Sequence, residues 1–207
     1  MEFHVTEQMA NRQTDQLETV GAALGVEPKF IAVHQYAPGS REDFAAYLSD
    51  HRVEFFSLEE IIIPHDAEKA RAAGFEELVP PLHLWPWAML VLRLGDDMRR
   101  RLGRPVRLRN LYRPMSYNER VATSGITSDH PNACAGDFDF RSRDDRRTAE
   151  SLIRDWAARV PDLEISLGMG DQTLHVGVMS PKGTRYWFYK SYSDPEMRLG
   201  SPGSDAR

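Results

Sequence analysis

A chain of 207 residues, 41% hydrophobic and 28% charged, has the composition of a soluble globular protein and enough length to bury a real core. Its 31 acidic residues against 26 basic ones argue against a nucleic-acid binder, which would carry a basic surface, and its apolar stretches are far too short to span a bilayer. Cys134 is the single cysteine, so an internal disulfide and a cysteine-built zinc cluster are both excluded.

Residues 1–13 are polar and weakly patterned, and Met1-Glu2-Phe3-His4 shows neither the charged head nor the apolar run of a secretory signal. A short helix over 14–25 would stop near Gly25, and Lys29 to Gln35 reads as a strand. Pro38-Gly39-Ser40 is a loop in which Ser40 can cap a helix through Phe44, Tyr47 and Leu48. A further helix is expected from Asp66 to Ala73, closed by Gly74. The clearest helix starts near Pro86, carries Trp87, Leu90, Val91, Leu94 and Met98 on one face, and ends at Gly103. The arginines at 99–101, 104, 107 and 109 read as a solvated helix face and strand edge.

A second clear helix spans roughly Asp144 to Arg159, with Ala149, Leu152, Ile153, Trp156 and Val160 as its apolar stripe. Short strands are expected at Pro105–Arg109, Ala135–Phe140, Leu163–Leu167, Thr173–Met179 and Arg185–Lys190. Helices followed by a run of strands point to an α+β domain with a mostly antiparallel sheet and flanking helices. Residues 1–75 read as an N-terminal extension or cap, 76–195 as the domain that holds the dense motifs, and 196–207 as a flexible tail of Gly, Ser, Pro and charge.

Strand alternation sharpens the chemistry. In Gly136-Asp137-Phe138-Asp139-Phe140 the two carboxylates share one face and the phenylalanines the other. In Leu174-His175-Val176-Gly177-Val178, His175 and Gly177 lie opposite three aliphatic residues. His130 stands seven residues before Asp137, in a Pro/Asn loop able to fold back onto the strand. His130, Asp137 and His175 would then form a metal site on the open face of a sheet. Two imidazoles and one carboxylate leave the fourth tetrahedral position on Zn²⁺ open, as a catalytic zinc requires. The competing reading is that these histidines are hydrogen-bonded structural residues.

The run Tyr112-Arg113-Pro114, Tyr117-Asn118, Ser128-x-His130, Ala135-x-Asp137 and Leu174-His175-Val176, followed by Arg185-Tyr186-Trp187, resembles the hedgehog/D-Ala-D-Ala peptidase superfamily. It is most similar to the peptidoglycan-cleaving zinc peptidases there, over roughly residues 80–190. The resemblance implies that fold, a zinc cofactor held by His130, Asp137 and His175, and peptidoglycan stem peptides as substrate. It implies that Arg113 faces the substrate carbonyl or carboxylate, a task suited to a planar fork of donors. Ser128 would support the ligand loop, and Tyr112 and Asn118 would hold the arginine-bearing loop or touch substrate.

Three departures stand beside these matches. Ala133 replaces the family's glycine three residues after the first histidine, a mild change if its φ is negative. Gln172 and Gly177 stand where relatives place the acid that serves as general base. Asp171, one residue further out, is the first substitute and Asp139 the second, with a second role open to Asp139 as a partner of a ligand histidine. The absence of any base is the third possibility. Activity would be metal-assisted amide hydrolysis; the alternatives are a catalytically silent zinc-binding module that recognises a peptide or protein partner, and a metal-free structural domain. Peptidoglycan lies outside the cytoplasm, so a cytoplasmic chain as written requires release as a lysin, removal of a leader, or another substrate. Oligomeric state is not encoded legibly.

Overall fold

Pro86 at the start of a helix and Gly103 at its end bracket the element around which the rest is assembled. The computed structural model describes residues 7–26, 38–121, 128–180, 183–190 and 192–193. The strand expected over Lys29–Gln35 and the tail 196–207 lie outside the described residues. Helix α1 (Glu7–Ala23) is followed by α2 (Arg41–Asp50), α3 (Leu58–Ile62), α4 (Ala67–Ala72) and α5 (Trp85–Leu102). Then come β1 (Arg107–Asn110), α6 (Met115–Asn118), β2 (Ala135–Asp139), α7 (Arg143–Arg159), β3 (Ile165–Met169), β4 (Thr173–Val178) and β5 (Arg185–Phe188).

Local sequence explains the helix starts. The Ser40, Ser57, Asp66 and Ser142 side chains each accept a hydrogen bond from the backbone N–H three residues on, at 3.0–3.2 Å, which satisfies one otherwise orphaned donor in α2, α3, α4 and α7. Each such cap contributes about 1 kcal/mol. Gly103 closes α5 at φ +63°, a backbone conformation that glycine adopts without strain.

The fold is α+β, with one five-stranded sheet in the order β1-β2-β4-β3-β5. Three pairings are antiparallel, but β3 and β5 run parallel, so the sheet is mixed. β4 already has β2 on one side and β3 on the other, so β5 joins at an edge of the sheet, beside β3 and in β3's direction.

The register pairs Phe138 with Leu174 and Leu167 with Val176, all fully buried, and this face packs against α5 and α7. The same register pairs Asp137 with His175 and Gly168 with both His175 and Trp187 on the other face. Residues before 75 join the same core: Leu17, Val20, Phe44, Ile61 and Ile62 belong to one buried cluster with Trp85, Leu90 and Phe138. The arginines on and after α5 find acids or carbonyls. Arg99 binds Glu60 and the Val106 carbonyl, Arg100 binds Glu54 and Asp97, and Arg104 faces Asp145. Among the described residues no helix is long and apolar enough to cross a membrane.

Candidate metal centre

His130 opens a short 3-10 turn, Asp137 sits in the middle of β2 and His175 in the middle of β4. Their donor atoms lie within 4.8 Å of one another, so the three could hold a metal ion. Asp137 is the bridge: its Oδ2 is 3.1 Å from His130 Nε2 and its Oδ1 is 2.9 Å from His175 Nδ1.

The two rings are prepared differently. His130 is fully buried, and its Nδ1 lies 2.8 Å from the Leu111 carbonyl, which can only accept; Nδ1 therefore carries the hydrogen and Nε2 presents the lone pair toward Asp137. Burial, helped by the nearby Arg113 guanidinium, lowers the His130 pKa and favours the neutral ring that a metal requires. For His175 burial acts in the same direction, but the carboxylates of Asp129 and Asp137 on its two sides outweigh it and raise its pKa. Burial would raise the Asp137 pKa, yet the two histidines hold it well below the usual carboxylate range. Asp137 therefore stays an anion, with two nitrogen donors beside it.

Arg113 is buried beside this cluster, its Nη2 3.7 Å from Asp137 Oδ2 and its backbone N–H donating to the His130 carbonyl at 3.3 Å. The Arg113 Nε has no hydrogen-bond partner among the described residues. Ser128 Oγ accepts from the His130 backbone N–H at 3.4 Å and so braces the turn that carries His130. Tyr112 packs against the core, and Asn118 is buried at the end of α6.

The two acids expected to act as base go to different places. Asp171 lies at the tip of the β3–β4 hairpin, four residues before His175, a separation on the order of 13 Å along a strand. Its carboxylate accepts from the Ser193 backbone N–H at 3.0 Å and from its hydroxyl at 2.9 Å, and pairs with Arg143 at 3.2 Å. Those contacts hold its pKa down. Gln172 beside it donates to the Arg141 carbonyl at 3.5 Å. Asp139 stays on the ligand face, about 7 Å along β2 from Asp137. Burial raises the Asp139 pKa, and its ion-pair partner is Arg109 at 3.5 Å, with no bond to His130 or His175 among the described residues. His65 in turn accepts from Arg109 at 2.7 Å.

Ala133 departs from expectation. It has φ +51°, the left-handed region, where it closes the turn by donating to the His130 carbonyl at 3.0 Å. A glycine would adopt this conformation freely; alanine carries strain of about 1 kcal/mol.

Several residues around the three donors were given no role from the sequence. Trp187 stacks 5.1 Å from the His175 ring and lies over Gly168, where a Cβ would meet its indole at 2.5 Å. Tyr189 follows on the same side, its ring 6.2 Å from Trp187, its pKa raised by burial and by the Asp137 charge. Alternation along β5 was the available signal, since Tyr186 and Phe188 pack on the core while Arg185 and Trp187 face the other way. Asp129, 2% exposed, lies behind His175 and accepts from Ser166 and Ser180. No family model, curated protein or solved structure matches this chain.

Proposed function

We propose that this chain is a zinc-dependent peptidase of the hedgehog/D-Ala-D-Ala peptidase type, hydrolysing amide bonds in peptidoglycan stem peptides or cross-links. The observation that carries the reading is the convergence of His130, Asp137 and His175 within 4.8 Å beside a buried Arg113. A set of two imidazoles and one carboxylate suits zinc, and its neutral His130 Nε2 is already freed by the Leu111 carbonyl. Bound there, zinc supplies the Lewis acidity and the depressed water pKa that amide hydrolysis needs near neutral pH.

The chain's own residues do the rest. Arg113 offers a planar fork of donors and has an unpartnered Nε among the described residues, so it can orient a substrate carbonyl or carboxylate and offset developing negative charge. Asp139 is the better placed proton acceptor, because it shares the ligand face and its pKa is raised, whereas Asp171 is engaged by Ser193 and Arg143. Trp187 and Tyr189 wall the His175 side.

A second reading has its own support. Gln172 and Gly177 offer no base, Asp171 is tied to the C-terminal segment and Asp139 to Arg109, as expected of a silent zinc-binding module that recognises a peptide or protein partner. Metal analysis with digestion of purified peptidoglycan, with and without chelator, separates the two. One zinc per chain with chelator-sensitive release of muropeptides supports the peptidase. Zinc without cleavage favours the silent module, and no zinc removes both.

A further inference from the structure

Behind His175, on the side away from Asp137, lies a carboxylate with more donors than a loop residue needs. Asp129 Oδ2 accepts from Ser166 Oγ at 2.8 Å, and its Oδ1 from Ser180 Oγ at 2.7 Å. Arg185 donates to the same Oδ2 from β5. The remaining neighbour is His175, whose Nε2 is 3.8 Å from Oδ2, just beyond hydrogen-bond distance. Burying a carboxylate is costly unless it is paired and hydrogen-bonded. Here two hydroxyls and a guanidinium, drawn from three places in the chain, converge to keep it charged.

Gly177 is part of the same arrangement. It faces Ser166 across β3 and β4, and a Cβ at 177 would stand 2.0 Å from Ser166 Oγ and 3.0 Å from Asp129 Oδ2. The space that a side chain at 177 would fill is thus taken by the Ser166 hydroxyl and the Asp129 carboxylate.

We infer that Asp129 is the positioning residue of His175: it holds the hydrogen of the imidazole on Nε2 and thereby directs Nδ1, the nitrogen facing Asp137, to the metal. The carboxylate beside this end of β4 comes from the turn that carries His130, and Gly177 is required because it leaves room for it. A metal-bound histidine nearly always donates its other ring N–H to such a group, which fixes the tautomer and the ring orientation. Asp129 and His130 are adjacent in the chain, so one turn sets both histidine ligands, one directly and one through its neighbour.

The inference rests on the reading of His175 as a metal ligand, and the test separates the two. Zinc is titrated into the chain and the loaded protein is then examined by long-range ¹H–¹⁵N correlation of ring-labelled histidine. The expected wild-type result is His175 with hydrogen on Nε2 and the metal-shifted resonance on Nδ1. Asp129→Asn is expected to weaken zinc about 10- to 100-fold, and Ser180→Ala to weaken it by less, with the apo fold unchanged by circular dichroism. A metal-shifted Nε2 in the wild type overturns the inference without any variant, so a misfolded Asp129→Asn protein does not shelter it. Unchanged zinc affinity in a folded Asp129→Asn protein also overturns it. Absence of zinc uptake by the wild type overturns the metal reading and this inference together, and the titration reports that before any spectrum is taken.

Discussion

At the Thr173 end of β4, Asp171 sits on a hairpin tip and clasps Ser193 and Arg143, with solvent at hand. At the Val178 end the strand itself carries only Gly177, yet a carboxylate stands there, because Asp129 arrives from a distant turn and is buried among Ser166, Ser180 and Arg185. The acid closest to His175 along its own strand and hairpin, Asp171, is occupied elsewhere, while the acid that touches its environment lies 46 residues before it. What a carboxylate does is set by what surrounds it. An exposed pair contributes little, whereas a buried, fully partnered one is both costly to disrupt and able to orient a neighbour.

The heaviest loss is expected between the two ends of β4, at His175. His175→Ala should abolish stoichiometric zinc uptake in a folded protein, read by metal analysis; retained zinc would remove β4 from the site altogether. Next, Asp139→Asn should lower kcat about 10²- to 10⁴-fold with zinc content unchanged, whereas Asp171→Asn should stay within about twofold. The reverse result would make the hairpin tip, not the ligand face, the source of the base.

A smaller effect concerns stability. The pKa of Asp129 is depressed: burial alone would raise it, but the neighbouring His175, the Ser180 hydroxyl, the Arg185 charge and the Ser166 hydroxyl prevail. Stability from this group is therefore present above the ordinary carboxylate range and is lost as pH falls through the depressed folded value. Asp129→Asn should cost about 2–4 kcal/mol in urea unfolding at neutral pH, with the gap to wild type narrowing as the pH drops below about 4. A constant gap would mean that charge is not what Asp129 contributes. The mildest change sharpens the picture of the turn itself: Ala133→Gly relieves the strain at φ +51° and should raise stability by about 0.5–1 kcal/mol, near 2 °C in Tm. A loss instead would mean that the buried methyl group of Ala133 outweighs the strain.

Much of this was readable from the chain. Ser40 and Gly74, Pro86 and Gly103 mark helices whose ends fall within a few residues of those expected, since caps and left-handed stops are local chemistry. The alternation of Gly136–Phe140 and Leu174–Val178 correctly separates Asp137 and His175 from the core-facing Phe138, Leu174 and Val176, because period two is imposed by the backbone. The pairing of β3 with β5 was not readable, since it depends on which strand edges remain free once β4 is enclosed. Nor was the place of residues before 75, whose Phe44 and Ile62 share one core with Phe138.

By itself, then, the sequence determined most of the elements and the strand faces that carry Asp137 and His175, which follow from short-range backbone geometry and hydrophobic periodicity. His130 was joined to them by its place in the preceding loop and by the family resemblance. Only the tertiary structure decided which carboxylates serve that centre. Asp129 draws its partners from 37, 51 and 56 residues away and Asp171 draws its own from 22 and 28, and desolvation and ion pairing act through space, where separation along the chain carries no weight.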